Sequence, residues 1–290
     1  MIIIKSVGGL GNQLFQYALY MRLQTLGKIV KIDFSQLYKD NIQNELTIFG
    51  NEILQPSPKE IAELGDCAQN VFSKVRRKLG IKKKSYIEEK ANYTYDPEIL
   101  SLDNVYLFGY WQTEKYFVEI RDNILQALRF PAITEPRNIE YEKRIKNCQT
   151  SVSLHVRRGD YLINKFKKRY GGICTNEYYE KAVGYFKQKY PEAHFFVFTN
   201  DEEWVSKQFQ SIDMTIIKGN AGKLSYRDMQ LMSMCQHNII ANSSFSWWGA
   251  WLNQNQNKEV IMPPMWNRVK ETPDIWVPGW IKLDTPVEEF

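Results

Sequence analysis

The chain opens with IIIKSVGGLGNQLFQYALYMRLQTLGKIVKIDF, residues 2–34. An apolar run at Ile2–Val7 predicts a strand, and the glycine-rich stretch Gly8–Gly11 predicts a tight turn after it. Apolar residues at helical spacing predict a helix over about Asn12–Leu26, and the β-branched run Ile29–Phe34 predicts a second strand. This order is a βαβ unit, so we expect an α/β fold built on a parallel sheet.

The same alternation returns in the second half of the chain. The predicted elements there are strand Val152–Val156, helix Asn176–Tyr190, strand His194–Thr199, helix Asp201–Phe209, strand Met214–Ile217, helix Tyr226–Cys235 and strand Asn238–Ala241. Ser225 and Asp228 match a capping box for the last of these helices. In the first half, a strand at Asn104–Tyr110 and a helix near Lys115–Ala127 precede a Pro-containing linker at Phe130–Pro136. A length of 290 residues then fits two domains, 1–135 and 136–290.

The charge of the chain is concentrated in one segment. Lys and Arg exceed Asp and Glu by five, but residues 74–90 alone carry eight cations against Glu88 and Glu89, so the remainder is nearly neutral. This distribution argues against a nucleic-acid-binding face. The segment 74–84 suggests peripheral contact with an anionic membrane, the alternative being a solvated helix face. The N-terminus lacks the features of an export signal and no apolar run could span a bilayer, so we expect a cytoplasmic protein.

The cysteines and acidic residues predict neither a metal nor a cofactor. Cys67, Cys148, Cys174 and Cys235 are far apart, with no C-x-x-C spacing, so we expect reduced thiols. No D-x-D occurs at any position, although enzymes that hold a sugar nucleotide through Mg²⁺ or Mn²⁺ need carboxylates at its diphosphate. We therefore expect arginines and a helix start to neutralise any such diphosphate.

The glycine turn Gly8-Gly9-Leu10-Gly11-Asn12-Gln13 follows one strand and opens a helix, where a backbone can approach a ligand closely. It fails as a dinucleotide fingerprint because Leu14 replaces the third glycine. A plain tight turn is the alternative. The amides of Asn12 and Gln13 favour a binding role.

A second candidate, His155-Val156-Arg157-Arg158-Gly159-Asp160, ends the clearest strand of the second half. Adjacent arginines at a strand end suit bidentate contact with phosphate, so we expect a pyrophosphate site. The alternative for His155 is a satisfied core histidine. For Asp160 the alternative is an ion pair that holds one of the arginines.

The third candidate, Asn242-Ser243-Ser244-Phe245-Ser246-Trp247-Trp248, follows the last predicted strand. Ser or Asn at a helix cap is the usual construction of a phosphate-binding helix start. Phe245 or Trp248 could stack on a base or a sugar, whereas helical spacing favours core packing for most of the tryptophans. A weaker candidate, Thr199-Asn200-Asp201, could contact a guanine edge, and helix capping explains it equally well.

Three blocks, GGLGNQLFQYA (Gly8–Ala18), HVRRGD (His155–Asp160) and NSSFSWWGAWL (Asn242–Leu252), resemble in order and spacing the signature blocks of the α-1,2-fucosyltransferases, glycosyltransferase family 11. The H-x-R-R block is also similar to one in α-1,6- and protein O-fucosyltransferases. The resemblance implies the GT-B type of fold, with two Rossmann-like domains facing a central cleft. The first domain would bind the acceptor and the second GDP-fucose.

The resemblance also implies the reaction. L-Fucose would pass with inversion, and without a metal or other cofactor, from GDP-β-L-fucose to the 2-hydroxyl of a terminal galactose. The acceptor would be a bacterial O-antigen or capsule repeat unit, or a lactose-type oligosaccharide. By its position in the block, Arg157 resembles the arginine that contacts the β-phosphate, and Asp160 is the candidate general base. The other expected donor contacts are Gly11, Asn12, His155, Arg158, Asn242, Ser243, Ser244 and Phe245, and the expected acceptor contacts are Asn12, Gln13 and Trp248.

Three alternatives to α-1,2-fucosyl transfer follow from the same residues. One is fucosyl transfer with another linkage. Another is a non-catalytic carbohydrate- or lipopolysaccharide-binding protein of the same fold, suggested by Trp266, Trp276 and Trp280 and by the basic segment. The third is a nucleotide-dependent oxidoreductase that uses the glycine turn, against which the missing third glycine counts.

Overall fold

The structure is a computed structural model that describes residues 1–66, 76, 78, 80–90, 93–210 and 212–289. These residues form two compact units. Unit 1 comprises Met1–Phe130 together with Pro273–Ile275, and unit 2 comprises Pro131–Thr272 together with the residues from Trp276 onward. The division after Phe130 lies inside the stretch predicted as the linker. Nothing in the sequence indicated that residues 273–275 return to unit 1.

Unit 1 contains a four-stranded parallel sheet in the order β2-β1-β4-β3. Its strands are β1 (Ile2–Lys5), β2 (Val30–Asp33), β3 (Tyr86–Glu88) and β4 (Val105–Phe108). Its α-helices are α1 (Leu10–Thr25), α2 (Ser35–Lys39), α3 (Pro58–Leu64) and α4 (Arg121–Ala127). Short 3₁₀ turns lie at Glu45–Phe49, Pro97–Leu100, Glu114–Tyr116 and Val118–Ile120.

The predicted βαβ unit is confirmed, because β1, α1 and β2 follow one another and β1 pairs in parallel with β2. The helix predicted near Lys115–Ala127 is only partly right. Residues 114–120 form two 3₁₀ turns, and the α-helix begins at Arg121. Strand β3 was not predicted, since three half-buried residues give too short a pattern to stand out.

Unit 2 contains a six-stranded parallel sheet in the order β10-β9-β8-β5-β6-β7. Its strands are β5 (Ser151–Val156), β6 (His194–Thr199), β7 (Met214–Ile216), β8 (His237–Ile239), β9 (Val260–Met262) and β10 (Ile281–Lys282). Its α-helices are α5 (Pro136–Asn147), α6 (Asn164–Tyr170), α7 (Asn176–Lys189), α8 (Glu202–Gln208), α9 (Tyr226–Met234) and α10 (Ser244–Leu252), with 3₁₀ turns at Gly159–Leu162 and Gly222–Leu224. The α/β class is therefore confirmed in both units.

Strand β5 is buried along its whole length, and its two faces differ. Val152, Leu154 and Val156 belong to the apolar core that includes Tyr178 and Phe186 of α7. Side chains alternate along a strand, so Ser153 and His155 point to the opposite face. The carboxyl end of β5 therefore carries a polar face into the loop that follows.

Arg227 anchors the beginning of unit 2. Its side chain is almost fully buried and donates to both carboxylate oxygens of Glu135 and to the carbonyls of Pro131 and Ala132. The capping box predicted for Ser225 and Asp228 is wrong, because the Ser225 side chain makes no capping hydrogen bond. Asp228 instead accepts a hydrogen bond of 2.8 Å from Asn220.

Within the described residues, no helix has the length and apolar character needed to cross a membrane.

Gly249 allows α9 and α10 to pack closely, and its replacement tests that packing. A Cβ at position 249 would lie 2.9 Å from Met232 Cβ, nearer than side chains normally approach. We expect Gly249→Ala to lower the free energy of unfolding by about 1–3 kcal/mol, as overpacking does. In the matched control Gly184→Ala, on the exposed side of α7, the Cβ would meet nothing within 4 Å. That variant should gain stability in urea unfolding, because alanine favours a helix over glycine. Equal stability of the two variants would contradict the packing argument.

Asp228 predicts a pH dependence of stability. Burial raises the pKa of its carboxyl from 3.8 to about 7, against the opposing hydrogen bond from Asn220. Because the folded state then holds this proton more tightly than the unfolded state, stability is lost as the pH rises from about 4 to about 7. The Asp228→Asn variant has no carboxyl to ionise at this position, so it should not lose stability in this way. Its Tm should therefore rise relative to the wild type across this interval, and a Tm difference that does not change with pH would contradict the expectation.

Candidate donor site in unit 2 and glycine loop in unit 1

The order of the strands in unit 2 brings two of the predicted motifs together. Strand β5 pairs with β6 on one side and with β8 on the other, so the connections reverse direction between β5 and β8. Ligands of open parallel sheets bind at such a point, beyond the carboxyl ends of the strands. The loop after β5 contains Arg157–Asp160, and the loop after β8 leads to Asn242 and Ser243. They meet where the Tyr161 hydroxyl donates to the Asn242 carbonyl at 3.1 Å.

Asn200 fixes the conformation of the loop after β5. Its Oδ1 accepts from the backbone amides of Arg158 (3.0 Å) and Gly159 (3.3 Å), and its Nδ2 donates to Asp160 at 3.3 Å. A Cβ on Gly159 would lie 2.7 Å from Asn200 Nδ2, so glycine is needed for this close contact. Asp201 accepts from the backbone amide of Trp204 at the start of α8. The Thr199–Asp201 stretch thus supports the loop and caps a helix.

The two adjacent arginines have different surroundings. Arg157 donates to Asp160 at 2.9 Å, and 36% of its side chain is exposed. Arg158 lies against Asp201 at 3.4 Å, and its Cζ is 4.2 Å from the centroid of the Trp204 ring. Both arginines pair with a carboxylate of their own chain, but the Arg157 side chain is the more exposed, 36% against 23%, so Arg157 is the more accessible of the two to an anion.

His155 is buried beside Phe245, with ring centroids 6.1 Å apart. Burial, helped by the nearby Arg157 charge, lowers the pKa of His155 to about 3, so its ring is neutral at neutral pH. Its Nδ1 and the Nε of Arg157 are buried and have no hydrogen-bond partner among the residues that the structure describes. Buried polar atoms are usually paired, so these two at one strand end are exceptions to explain.

The loop after β8 is rigidly held. Asn242 is 2% exposed; its Nδ2 donates to the carbonyls of Tyr170 and Trp266, and its Oδ1 accepts from Cys174 Sγ. Ser243 caps α10 by accepting from the Phe245 amide at 3.4 Å. The polar atoms of the Asn242 side chain are therefore bound by the protein itself. At the switch point, a ligand would meet the capped amino terminus of α10.

Trp248, predicted as an acceptor contact, is completely buried. Its ring meets those of Trp247 and Trp251 edge to face, each with centroids 5.2 Å apart. Core packing therefore explains all three tryptophans of this helix. In this structure no part of Trp248 is open to a sugar.

The glycine loop of unit 1 is shaped around Asn12. Gly8 has a positive φ of 78°, and a Cβ there would lie 2.3 Å from Asn12 Nδ2. Asn12 Oδ1 accepts from Gln112 Nε2 at 2.6 Å. Because β1 lies between β2 and β4, this loop also follows a switch point, and Gln112 comes from the loop after β4. Gly11 lies within the first turn of α1 and is buried.

Gln13 and the amino terminus of α1 are both occupied by the chain itself. Gln13 is completely buried; its Nε2 donates to the carbonyls of Gly8 and Gln43, and its Oε1 accepts from the Glu45 amide. The Glu45 carboxylate accepts from the Leu10 amide at 2.7 Å. The first turn of α1 is thus neutralised by an internal anion. The structure gives Gln13 the role of holding this loop.

Several supporting residues were not identified from the sequence. Gln16 joins the loops after β1 and β4, because its Nε2 donates to the Val7 and Gly109 carbonyls and its Oε1 accepts from the Ser6 hydroxyl. Tyr161 and Cys174 support the unit 2 site as described above. Asn200 was a candidate from the sequence, but as a guanine contact or a helix cap and not as the support of the arginine loop. Gln16 and Tyr161 bind the backbone of a distant loop, and Cys174 binds the Asn242 side chain. No local spacing in the sequence reveals such partners.

The basic segment 74–84 lies partly outside the described residues, which omit Lys74 and Arg77. Of the described cations, Arg76 pairs with Asp66 and Lys82 with Glu88, and Lys83 donates to the carbonyl of Glu63. Contact of this segment with a membrane stays a prediction. Across the described ranges, no cluster of three or more His, Cys, Asp or Glu side chains could hold a metal ion.

The family model "Glycosyl transferase family 11" matches residues 1–284 of this chain. Two relatives from Escherichia coli are each 32% identical: an alpha-1,2-colitosyltransferase, matched over 95% of this chain and 98% of its own length, and the O-antigen biosynthesis glycosyltransferase WbnK, over 93% and 97%. A galactoside alpha-(1,2)-fucosyltransferase 1 from Leontopithecus chrysomelas is 27% identical over 50% of this chain and 42% of its own.

A variant of Arabidopsis thaliana FUT1 in complex with GDP aligns in structure over 94% of this chain and 72% of its own, with 13% sequence identity and a TM-score of 0.49. The resemblance carried by the three sequence blocks is confirmed by the whole-length family match. The chain belongs to glycosyl transferase family 11, and each of its two units is an α/β fold built on a parallel sheet.

Asn200→Ala tests how the arginine loop is held. The variant loses the acceptor of the Arg158 and Gly159 amides, each hydrogen bond contributing about 1 kcal/mol. We expect these two amides to exchange with solvent about five- to tenfold faster in hydrogen-exchange mass spectrometry or NMR. The amides of β5 serve as an internal control and should keep their protection. Unchanged exchange at residues 158 and 159 would show that Asn200 does not support the loop.

Proposed function

We propose that the protein transfers L-fucose from GDP-β-L-fucose, with inversion, to the 2-hydroxyl of a terminal galactose. The proposed acceptor is an O-antigen or capsule repeat unit, or a lactose-type oligosaccharide. One observation carries the donor half of this proposal. Arg157 and the capped start of α10 lie at the same switch point, joined by the hydrogen bond from Tyr161 to the Asn242 carbonyl.

In this proposal the diphosphate lies between Arg157 and the start of α10. Arg157 would form charge-assisted hydrogen bonds with the β-phosphate, and the amino terminus of α10, with Ser243 and Ser244, would face the negative charge. The unpartnered Nε of Arg157 and Nδ1 of His155 support a site that is completed by a ligand. The neutral His155 ring would lie near the guanine or the ribose, beside Phe245.

The chemistry follows from that placement. When the acceptor hydroxyl attacks the anomeric carbon, the bond to the β-phosphate oxygen breaks and negative charge develops on GDP. Arg157 and the helix start would stabilise that charge without a metal ion. A general base near the hydroxyl typically contributes 10²–10⁴-fold. Both oxygens of Asp160 already accept hydrogen bonds, from Arg157 and Asn200, which favours a role in orienting Arg157 over proton abstraction.

Unit 1 would provide the acceptor contacts in this scheme. Asn12 is half-buried, and its carbonyl oxygen is held by Gln112. We propose that its amide contacts the fucose or the acceptor. Gln13 and Trp248 are left out of the proposed acceptor site, because both are completely buried.

A second candidate donor is a GDP-linked colitose. A relative that is named an alpha-1,2-colitosyltransferase is 32% identical over 95% of this chain. Colitose is L-fucose without its 3-hydroxyl, so the two donors differ by one polar group. A site that hydrogen-bonds that hydroxyl rejects the deoxy sugar by about 10⁴–10⁵, whereas an apolar site tolerates either sugar far better.

One experiment compares these donors directly. The purified protein is incubated with lactose or N-acetyllactosamine and with GDP-fucose or GDP-colitose, in EDTA, and the products are analysed by NMR. A fucose α-1,2-linked to galactose supports the main proposal, and an α-1,2-colitoside alone supports the second candidate. Binding of these sugars with no GDP binding and no transfer would favour the carbohydrate-binding alternative.

Arg157→Ala tests the leaving-group assignment. Losing a preorganised donor to the developing charge should lower kcat by about 10²–10³. Asp160→Asn is the companion variant: an orienting role predicts weaker GDP binding by calorimetry, whereas a base predicts unchanged GDP affinity with reduced turnover. Turnover near the wild-type value in Arg157→Ala would overturn the phosphate assignment.

A further inference from the structure

A polar pocket lies at the amino ends of β5 and β8, at the opposite edge of the unit 2 sheet from the proposed donor site. Its volume is about 290 Å³, and five amide side chains line it: Gln149, Gln236, Asn255, Gln256 and Asn257. Since β5 spans six residues at about 3.3 Å each, the pocket and the donor loop are about 20 Å apart. The pocket therefore belongs to none of the three predicted motifs. It includes residues 255–257 of the Asn/Gln run 253–257.

The pocket carries no formal charge. Its other lining residues are Thr150, Tyr190 and His237, so neither a carboxylate nor an ammonium group lines it. The Glu259 amide donates to His237 Nδ1 at 3.1 Å, which assigns the ring proton to Nε2. Burial lowers the pKa of His237, so the ring is neutral at neutral pH. No cation lines the pocket to pair with a phosphate, a nucleotide or an acidic sugar, and the nearby Lys189 is paired with Glu259.

Two of the amide side chains are held in place by the protein, and each keeps one polar atom that no protein group binds. Gln236 Oε1 accepts from the Ser151 amide at 2.8 Å, and Asn255 Nδ2 donates to the Cys235 carbonyl and to Asn253 Oδ1. In the part of the chain that the structure describes, Gln236 Nε2 and Asn255 Oδ1 have no protein partner. The pocket thus offers a fixed donor and a fixed acceptor of neutral hydrogen bonds.

The half-buried Tyr190 contributes an aromatic ring to the lining. The buried His237 ring is stacked on it, with centroids 4.9 Å apart and planes 27° apart, and so holds the Tyr190 ring in place. Ligand sites commonly combine such an apolar surface with a few placed polar groups. A sugar ring has the matching character, because its C–H groups suit an aromatic surface and its neighbouring hydroxyls both donate and accept.

We propose that this pocket binds a neutral saccharide residue, at a site separate from the one where transfer takes place. The inference rests on the pocket itself and needs neither the proposed donor nor the proposed acceptor to be correct. For a glycan-modifying enzyme, a second sugar site would retain a longer glycan chain on unit 2.

The test is photoaffinity labelling of the whole protein with diazirine derivatives of galactose, glucose, N-acetylglucosamine, N-acetylgalactosamine and fucose, followed by peptide mapping. At least one probe should label peptides that contain residues 149–150, 236–237 or 255–257, and the free sugar should suppress the label. Gln256→Ala combined with Asn257→Ala should reduce this labelling about five- to tenfold, as expected for lost hydrogen bonds.

Gln254→Ala is the matched control, because it changes the same Asn/Gln run at an exposed position outside the pocket lining. Its labelling should equal that of the wild type. All side chains changed in these variants are exposed, so folding should be retained, and circular dichroism checks it. Absence of competable label at these peptides with all five probes would overturn the proposal, and so would labelling that the double variant leaves unchanged.

Discussion

The pairing of β5 with β6 on one side and β8 on the other is the constraint on which the rest of unit 2 depends. Buried side chains reinforce it: Asn238 Nδ2 donates to Ser153 Oγ at 2.7 Å, and Asn253 Nδ2 donates to Asn238 Oδ1 at 2.8 Å. Leaving one such group unsatisfied costs about 1–3 kcal/mol, so these contacts hold the register of the two strands. That register fixes where Arg157 and the start of α10 emerge.

The amino termini of α1 in unit 1 and α10 in unit 2 differ in the charge of the group that caps them. In unit 1, the Glu45 carboxylate accepts from the first turn of α1, so the helix start is already neutralised. In unit 2, the cap of α10 is the neutral Ser243 hydroxyl, and Arg157 lies across the same switch point. The electrostatics therefore favour an anionic ligand at unit 2 and a neutral one, such as a sugar hydroxyl, near Asn12 in unit 1.

Most regular elements could be predicted because they carry strong local patterns. Strand β6 was predicted with its observed bounds because it is a continuous apolar run. Helices α7 and α9 were predicted to within one residue because their apolar residues recur at helical spacing. Helix α5 was missed because charged residues dominate it and only Asn138 and Ile145 are buried. The Ser225–Asp228 pattern misled, because the partner of Asp228 is Asn220 in a preceding loop.

The site itself was predictable only in part. Arginines at a strand end and a Ser-rich helix start are local signals, and the sheet order brings them together. The difference in exposure between Arg157 and Arg158 is not a local signal, because Arg158 packs on Trp204 of α8 and pairs with Asp201 at the cap of that helix. The burial of Gln13 likewise depends on residues 43–45, thirty positions along the chain.

A crystal structure of the protein with bound GDP would test the central claim most directly. The account predicts the β-phosphate within hydrogen-bonding distance of the Arg157 guanidinium and of the first turn of α10, with the base near His155 and Phe245. A nucleotide bound elsewhere, or one whose diphosphate contacts neither Arg157 nor the Ser243–Ser244 backbone, would contradict it.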